Sequence, residues 1–304
     1  VIRDIRSGVL PVDKGPGVTS FQVVAQLRRV LRAAKIGHGG TLDPAATGLL
    51  PILIGEATKL TPYLVDLDKE YLATVRLGVT TDTQDLSGTV LQSRPLPELD
   101  AAGIARALER FVGMIRQVPP MYSALHHEGR RLYELARAGV EVERPPRDVT
   151  VYSIHLETLA LPDLVIRVRC GKGFYVRTLA ADLGEALGAG GVLARLVRTR
   201  VGPYRLEDAV LWDTVVNARD GKALWPRVLP PDSVLETMQE ARLSEQSARA
   251  FVNGQSVADS GAPGPVRVYG ADGALLGIGT RRGALVKPER LLHADPSRPR
   301  VLPA

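Results

Sequence analysis

The order of apolar and polar positions predicts alternating helices and strands along the chain. Residues 1–19 read as strand and loop, closing in the turn-rich Lys14-Gly15-Pro16-Gly17. Thr19 or Ser20 can cap a helix running to Ala34. Val23, Leu27, Val30, Leu31 and Ala34 recur at helical spacing, and Arg28, Arg29 and Arg32 lie mostly off that stripe. Residues 37–48, GHGGTLDPAATG, are small, polar and glycine-rich, which predicts a loop. EYLATVRL over 70–77 alternates as a strand. A helix is predicted over 101–112 behind Asp100, and a short one over 131–138 closed by Gly139. Strands follow over 149–158 and 163–170. In the second, Leu164, Ile166, Val168 and Cys170 take one face, and Arg167 and Arg169 the other. Val176, Leu179, Ala180, Leu183 and Leu187 mark the inner stripe of a helix from Val176 to Leu187, stopped by Gly188. PRVLPPDSVLE over 226–236 reads as a domain boundary. Beyond it the pattern predicts a helix over 245–252 and strands over 265–270, 274–280 and 283–287, a small β-rich unit.

Composition narrows the class. The chain has 304 residues, enough for about two domains of ~100–200 residues each. With 45% hydrophobic and 24% charged residues it has the balance of a globular protein. Lys and Arg exceed Asp and Glu by 39 − 33 = 6, which favours a polyanionic partner. The single cysteine, Cys170, excludes an intramolecular disulfide and a cysteine-based zinc cluster. The five histidines lack metal-ligand spacing. No apolar run reaches the ~18 residues of a membrane span. The N-terminal stretch carries charges where a signal peptide needs an apolar core, so a cytoplasmic location is expected.

Candidate chemistry concentrates in Gly37-His38-Gly39-Gly40-Thr41-Leu42-Asp43-Pro44. Glycines permit close backbone approach or positive φ, and Pro44 restricts Asp43 to extended or turn geometry. The spacing also fits a tight connection with a capping Asp. The segment is neither a Walker loop nor a dinucleotide fingerprint. A carboxylate kept ionised in a buried site needs a cation. Arg177 is a candidate, because it stands in the first turn of an otherwise apolar helix, where the helix dipole disfavours it. A solvated Arg is the plain alternative. Tyr71 and Tyr175 could stack on a base or simply pack. His38 reads as a turn residue or a base contact.

These stretches together resemble the bacterial tRNA pseudouridine-55 synthases, the TruB family. GHGGTLDPAATGLLP is similar to the family's signature loop, and DKGPGVTSFQVV to its N-terminal segment. KEYLATVRLGVTTDTQDLSG is similar to its Lys-x-Tyr strand and the following Thr-Asp segment. QVPPMYSALHHEGRRLYELARAG resembles its RNA-binding insertion, and CGKGFYVRTLAADLGEALG its third motif. Residues 239–292 resemble a PUA domain, a small β-rich RNA-binding module. The chain departs from the pattern at Gly15, Gly171, Phe174 and His126; the last stands where Lys is usual.

The resemblance implies an α+β fold: a mixed catalytic domain on a large, mainly antiparallel sheet with flanking helices, plus a small C-terminal β-rich PUA domain. The domains would be 1–232, with an RNA-binding insertion at about 118–147, and 239–304. It implies isomerisation of uridine to pseudouridine in the T-loop of tRNA, on a base flipped out of its stack. Asp43 matches the catalytic carboxylate, Tyr71 the ring that stacks on the uracil, and Arg177 the partner of the carboxylate. His38 matches a residue that enters the T-loop. Tyr175 and Leu196 match residues of the base pocket, and Lys14 and Asp85 match positions of the family's motifs. The carboxylate could attack C6 or C1′ or take the 2′ proton. No cofactor or metal is implied. The expected partner is tRNA, through its T-arm and, for the C-terminal unit, its acceptor end, with the protein a monomer away from membranes. The arginines of 190–206 are expected along the RNA cleft. A non-catalytic RNA-binding or tRNA-folding protein is the alternative. A methyltransferase would need a glycine-rich cofactor loop that the chain does not show.

Overall fold

The computed structural model describes residues 7–292 except Ala124 and Glu128. The end of the expected 239–304 unit and the side chain of His126 lie outside the described residues. The chain forms two compact units, one from the described parts of 1–44, 48–65 and 202–304, the other from 45–47 and 66–201.

In the first unit, strand Gly8–Lys14 pairs antiparallel with Thr47–Ile54, residue by residue from Gly8 opposite Ile54 to Lys14 opposite Gly48. Val210–Leu211 joins Gly8–Lys14 in parallel, and Ile36–His38 joins Thr47–Ile54. Helix Ser20–Leu31 starts with a capping box: Thr19 accepts from the Gln22 N–H, and the Gln22 side chain accepts from the Thr19 N–H. It ends at Leu31 rather than Ala34, because Arg32 adopts φ 52°, in the left-handed region. Ala34 is consequently exposed, and Val23, Val24, Leu27, Val30 and Leu31 form the buried stripe. The predicted loop 37–48 is shorter than expected, since its two ends are strand.

The same unit holds a five-stranded sheet ordered Gln239–Arg242, Gly264–Tyr269, Leu275–Arg282, Leu285–Leu291 and Val257–Ala258, with helix Glu245–Val252 against it. Phe251, Val266, Val268 and Val286 make its core. Arg281, buried within this sheet, is satisfied by Asp259, Gln239 and the carbonyls of Glu240 and Ala262. Pro231–Leu235 is tied on both sides, by Tyr204 to Ser233 and by the Tyr269 hydroxyl donating to Asp232.

The second unit is an antiparallel sheet ordered Gly191–Val201, Lys69–Leu77, Asp163–Cys170, Arg147–Ala160 and Gly113–Gln117. Leu164, Ile166, Val168 and Cys170 all face inward, as their alternation predicts. Helices Ala101–Glu109, capped by Asp100, and Val176–Ala186 supply Ile104, Leu108, Leu179, Ala180 and Leu183 to the same core. Gly188, at φ 72°, stops the second helix. The opposite sheet face carries a polar ladder in which Arg167 bridges Glu157 and Glu70, and Glu70 accepts from Thr199. Among the described residues no helix is long and apolar enough to cross a membrane.

Candidate functional site

Lys14, His38 and Asp43 belong to the first unit; Tyr71, Asp85, Tyr175, Arg177 and Leu196 belong to the second. Each set is built by its own unit.

Asp43 sits half-buried in a segment without regular secondary structure. That segment is pinned on both sides. The Lys14 ammonium is fully buried and donates to the carbonyls of Gly15 at 3.1 Å, Val18 at 2.7 Å and Pro44 at 3.2 Å. The Gly17 N–H also donates to the Pro44 carbonyl, at 2.8 Å. On the other side, the Ser20 hydroxyl bonds the backbone of Leu42. Two of the loop glycines have identifiable reasons. A Cβ on Gly39 would run into the Leu64 side chain, and Gly40 has φ 122°. His38 ends strand Ile36–His38, opposite Ile52.

In the second unit, Tyr71 lies on strand Lys69–Leu77, between Val168 on one neighbouring strand and Arg198 on the other. Leu196 stands opposite Ala73. Directly opposed residues of an antiparallel pair share a face, so Tyr71, Ala73, Leu196 and Arg198 present to one side of the sheet. Tyr71 and Leu196 pack against the core cluster to which Val176, Leu179 and Leu183 contribute. Tyr175 is the N-cap residue of helix Val176–Ala186 and makes no side-chain cap. Its backbone is instead gripped by the buried Gln117 amide, which accepts from the Tyr175 N–H at 3.0 Å and donates to its carbonyl at 3.3 Å.

Arg177 is buried, not solvated. Its guanidinium donates to the Tyr122 carbonyl at 2.6 Å and the Thr83 carbonyl at 3.4 Å, which oppose the unfavourable helix-dipole position. Asp85 organises the loop that supplies Thr83. Its carboxylate accepts from Thr83 Oγ1 and from the Ser87 N–H.

Arg198 departs from expectation. At 1% exposure it does not line an open surface. Between the two register shifts that flank 195–198 the alternation is regular, so Arg198, opposite Tyr71, takes the buried face and Arg195, three residues earlier, the exposed one. Beside it, the Lys69 ammonium donates to the Leu67 carbonyl. Burial, then the Arg198 charge, pushes the Lys69 pKa down to about 8. Burial pushes the opposed Cys170 thiol up to about 12.

Sequence reading missed Gln117 and Ser20 as organisers, although both lie in quoted motifs, because their partners are 58 and 22 residues away. Among the described residues no group of three His, Cys, Asp or Glu side chains is placed to hold a metal ion.

The model of the TruB family pseudouridylate synthase N-terminal domain matches residues 28–176. The tRNA pseudouridylate synthase B C-terminal domain matches 177–236, and the pseudouridine synthase II TruB C-terminal model matches 240–292. The tRNA pseudouridine synthase B of Burkholderia mallei is 47% identical over 298 residues, covering 95% of this chain and 98% of that protein. The corresponding protein of Aromatoleum aromaticum is 46% identical over 292 residues, covering 95% and 94%. A crystal structure of a Cbf5-Nop10-Gar1 complex superposes with a TM-score of 0.73 at 25% identity, covering 95% of this chain and 86% of that chain. The expected fold class is thereby borne out, a mixed α+β architecture on a large sheet with a C-terminal β-rich part. With this identity across nearly its whole length, the chain belongs to the TruB family of pseudouridylate synthases, enzymes that isomerise uridine to pseudouridine in tRNA.

Proposed function

We propose that the uridine converted is that of position 55 in the T-loop, and that Asp43 is the carboxylate that acts on it after it has left its stack. The reaction breaks the N1–C1′ bond and forms C5–C1′; N1 gains a proton and C5 loses one, so no redox partner is required. Whether the carboxylate attacks C6 or C1′ or takes the 2′ proton, it must act as an anion. In this reading Arg177 is the cation that keeps it ionised. The Tyr71 ring receives the extruded uracil, with Tyr175 and Leu196 closing the base pocket. Extrusion costs a few kcal/mol, and stacking at ~1–3 kcal/mol per base together with His38 in the vacated T-loop offsets it. The other proposed assignments are the separate RNA-binding role of 239–304, tRNA as the partner through its T-arm and acceptor end, and a monomeric state.

The observation that carries the reading is the investment in the Asp43 segment. A fully buried ammonium and a buried hydroxyl are both spent on the backbone at Pro44 and Leu42. A capping Asp in an ordinary turn needs no such support. Asp43→Asn keeps size and removes the anion. Single-turnover kinetics at saturating enzyme should show no detectable pseudouridine, with tRNA affinity within about tenfold, or ~1.4 kcal/mol. A rate within tenfold of the parent removes Asp43 from the chemistry.

A further inference from the structure

A serine hydroxyl is a single atom that can donate and accept at once. Ser20 is the first residue of helix Ser20–Leu31, and it is 3% exposed. Either Thr19 or Ser20 could cap that helix by sequence. The structure divides the work: Thr19 caps, accepting from the Gln22 N–H at 3.1 Å. The Ser20 hydroxyl turns to the loop, accepting from the Leu42 N–H at 3.1 Å and donating to the Leu42 carbonyl at 3.3 Å. Both backbone groups of one residue thus end on one side-chain atom, in place of a strand partner. Leu42 is itself buried and directly precedes Asp43. Turning the Asp43 carboxylate through the Leu42 backbone would break both bonds in a place closed to water.

We propose that Ser20 is a positioning residue for Asp43: its hydroxyl fixes the Leu42 backbone and, through it, the direction of the carboxylate. The proposal rests on the reading of Asp43 as the catalytic group. Ser20 touches neither RNA nor the reacting atoms in this role. It complements Lys14, which holds the opposite side of Asp43 through the Pro44 carbonyl. An Ala there could close neither bond, a Cys would close them only weakly, and a Lys could not accept.

The test uses the full chain and a T-arm stem-loop RNA. Ser20→Ala should lower the single-turnover rate at saturating enzyme by about 10–100-fold, the scale of a misplaced reacting group. Affinity for the RNA should stay within about twofold, so the loss falls on the rate rather than on binding. Thr19→Ala is the control. It removes the cap of the same helix, so it should lower the melting temperature yet leave the rate of the folded protein within about twofold. Ser20→Cys keeps the side-chain shape with a weaker donor and acceptor, and serves if the alanine variant does not fold. A rate loss in the Ser20 variants no larger than in Thr19→Ala overturns the proposal, as does failure of both Ser20 variants to fold. Asp43→Asn run alongside separates the two claims. Activity retained there removes the underlying reading. Activity lost there with full activity in the Ser20 variants removes the positioning role alone.

Discussion

Asp43 stands on a segment with no helix or strand of its own, held through its neighbours' backbone groups by Lys14, Gly17 and Ser20. Arg177 stands on a regular helix, held through the apolar face that Leu179, Ala180 and Leu183 bury, while its guanidinium reaches two carbonyls. The difference is one of how position is encoded. Hydrogen bonds at Leu42 and Pro44 are directional and few, so each one controls the geometry of the residue beside it. Packing at the helix is spread over many weak contacts, so no single one sets the direction of Arg177. The first arrangement is sensitive to single polar changes. The second should tolerate them except at Arg177 itself.

After the complete loss expected at Asp43 itself, the helix side gives the largest effect. Arg177→Ala should lower the single-turnover rate by about 10²–10³-fold, the usual loss when one charged or donor group of a preorganised site is removed. RNA affinity should change less, within about tenfold. Arg177→Lys keeps the charge but loses the two-pronged geometry on Thr83 and Tyr122, and should recover only part of the rate. Full recovery would mean that charge alone matters, and that the carbonyl contacts are incidental.

The loop side gives the next. Lys14→Met leaves the carbonyls of Gly15, Val18 and Pro44 without this donor. Unfolding in urea should show a loss of about 3 kcal/mol, the scale of leaving buried polar groups unsatisfied. A loss below ~1 kcal/mol, the net worth of one ordinary hydrogen bond, would break the contrast drawn between loop and helix.

The smallest effect at any one step, taken per pH unit, concerns the packed side, where Lys69 is buried beside Arg198. Its folded pKa of about 8 lies below the ordinary 10.5. Between these values the unfolded chain binds a proton that the folded chain does not. Stability from this group therefore rises with pH across that window, by at most about 1.4 kcal/mol per pH unit; below about pH 8 its burial cost is carried in full. Lys69→Met removes the rise. Melting temperatures of parent and variant, taken at several pH values through the window, should converge as pH increases if the methionine form starts higher. Parallel curves would show that Lys69 does not titrate there.

Much of this molecule was legible in its sequence, for reasons that differ by element. The helix start at Thr19 or Ser20, the cap at Asp100 and the stop at Gly188 are local, with donor and acceptor within four residues, though only the structure chose Thr19 and closed its capping box. The strand over 163–170 was legible because one face is buried and the other polar, which gives a clean period of two. Arg177 stood out as a charge where the helix dipole does not favour it, whereas Asp43 fitted a capping turn equally well and was singled out only by the motif around it. Strand Thr47–Ile54 was not legible, because burial on both faces removes the alternation and Pro51 interrupts the run. Gly191–Val201 was hidden by two register shifts, and with it the burial of Arg198. What tertiary structure alone decided is where the buried polar groups end. Lys14 to Pro44 spans 30 residues, Ser20 to Leu42 spans 22, and Gln117 to Tyr175 spans 58. A side chain's chemistry states what it can bond. Only the folded chain, which brings distant backbone groups together and excludes the water that would otherwise satisfy them, determines which bond is made.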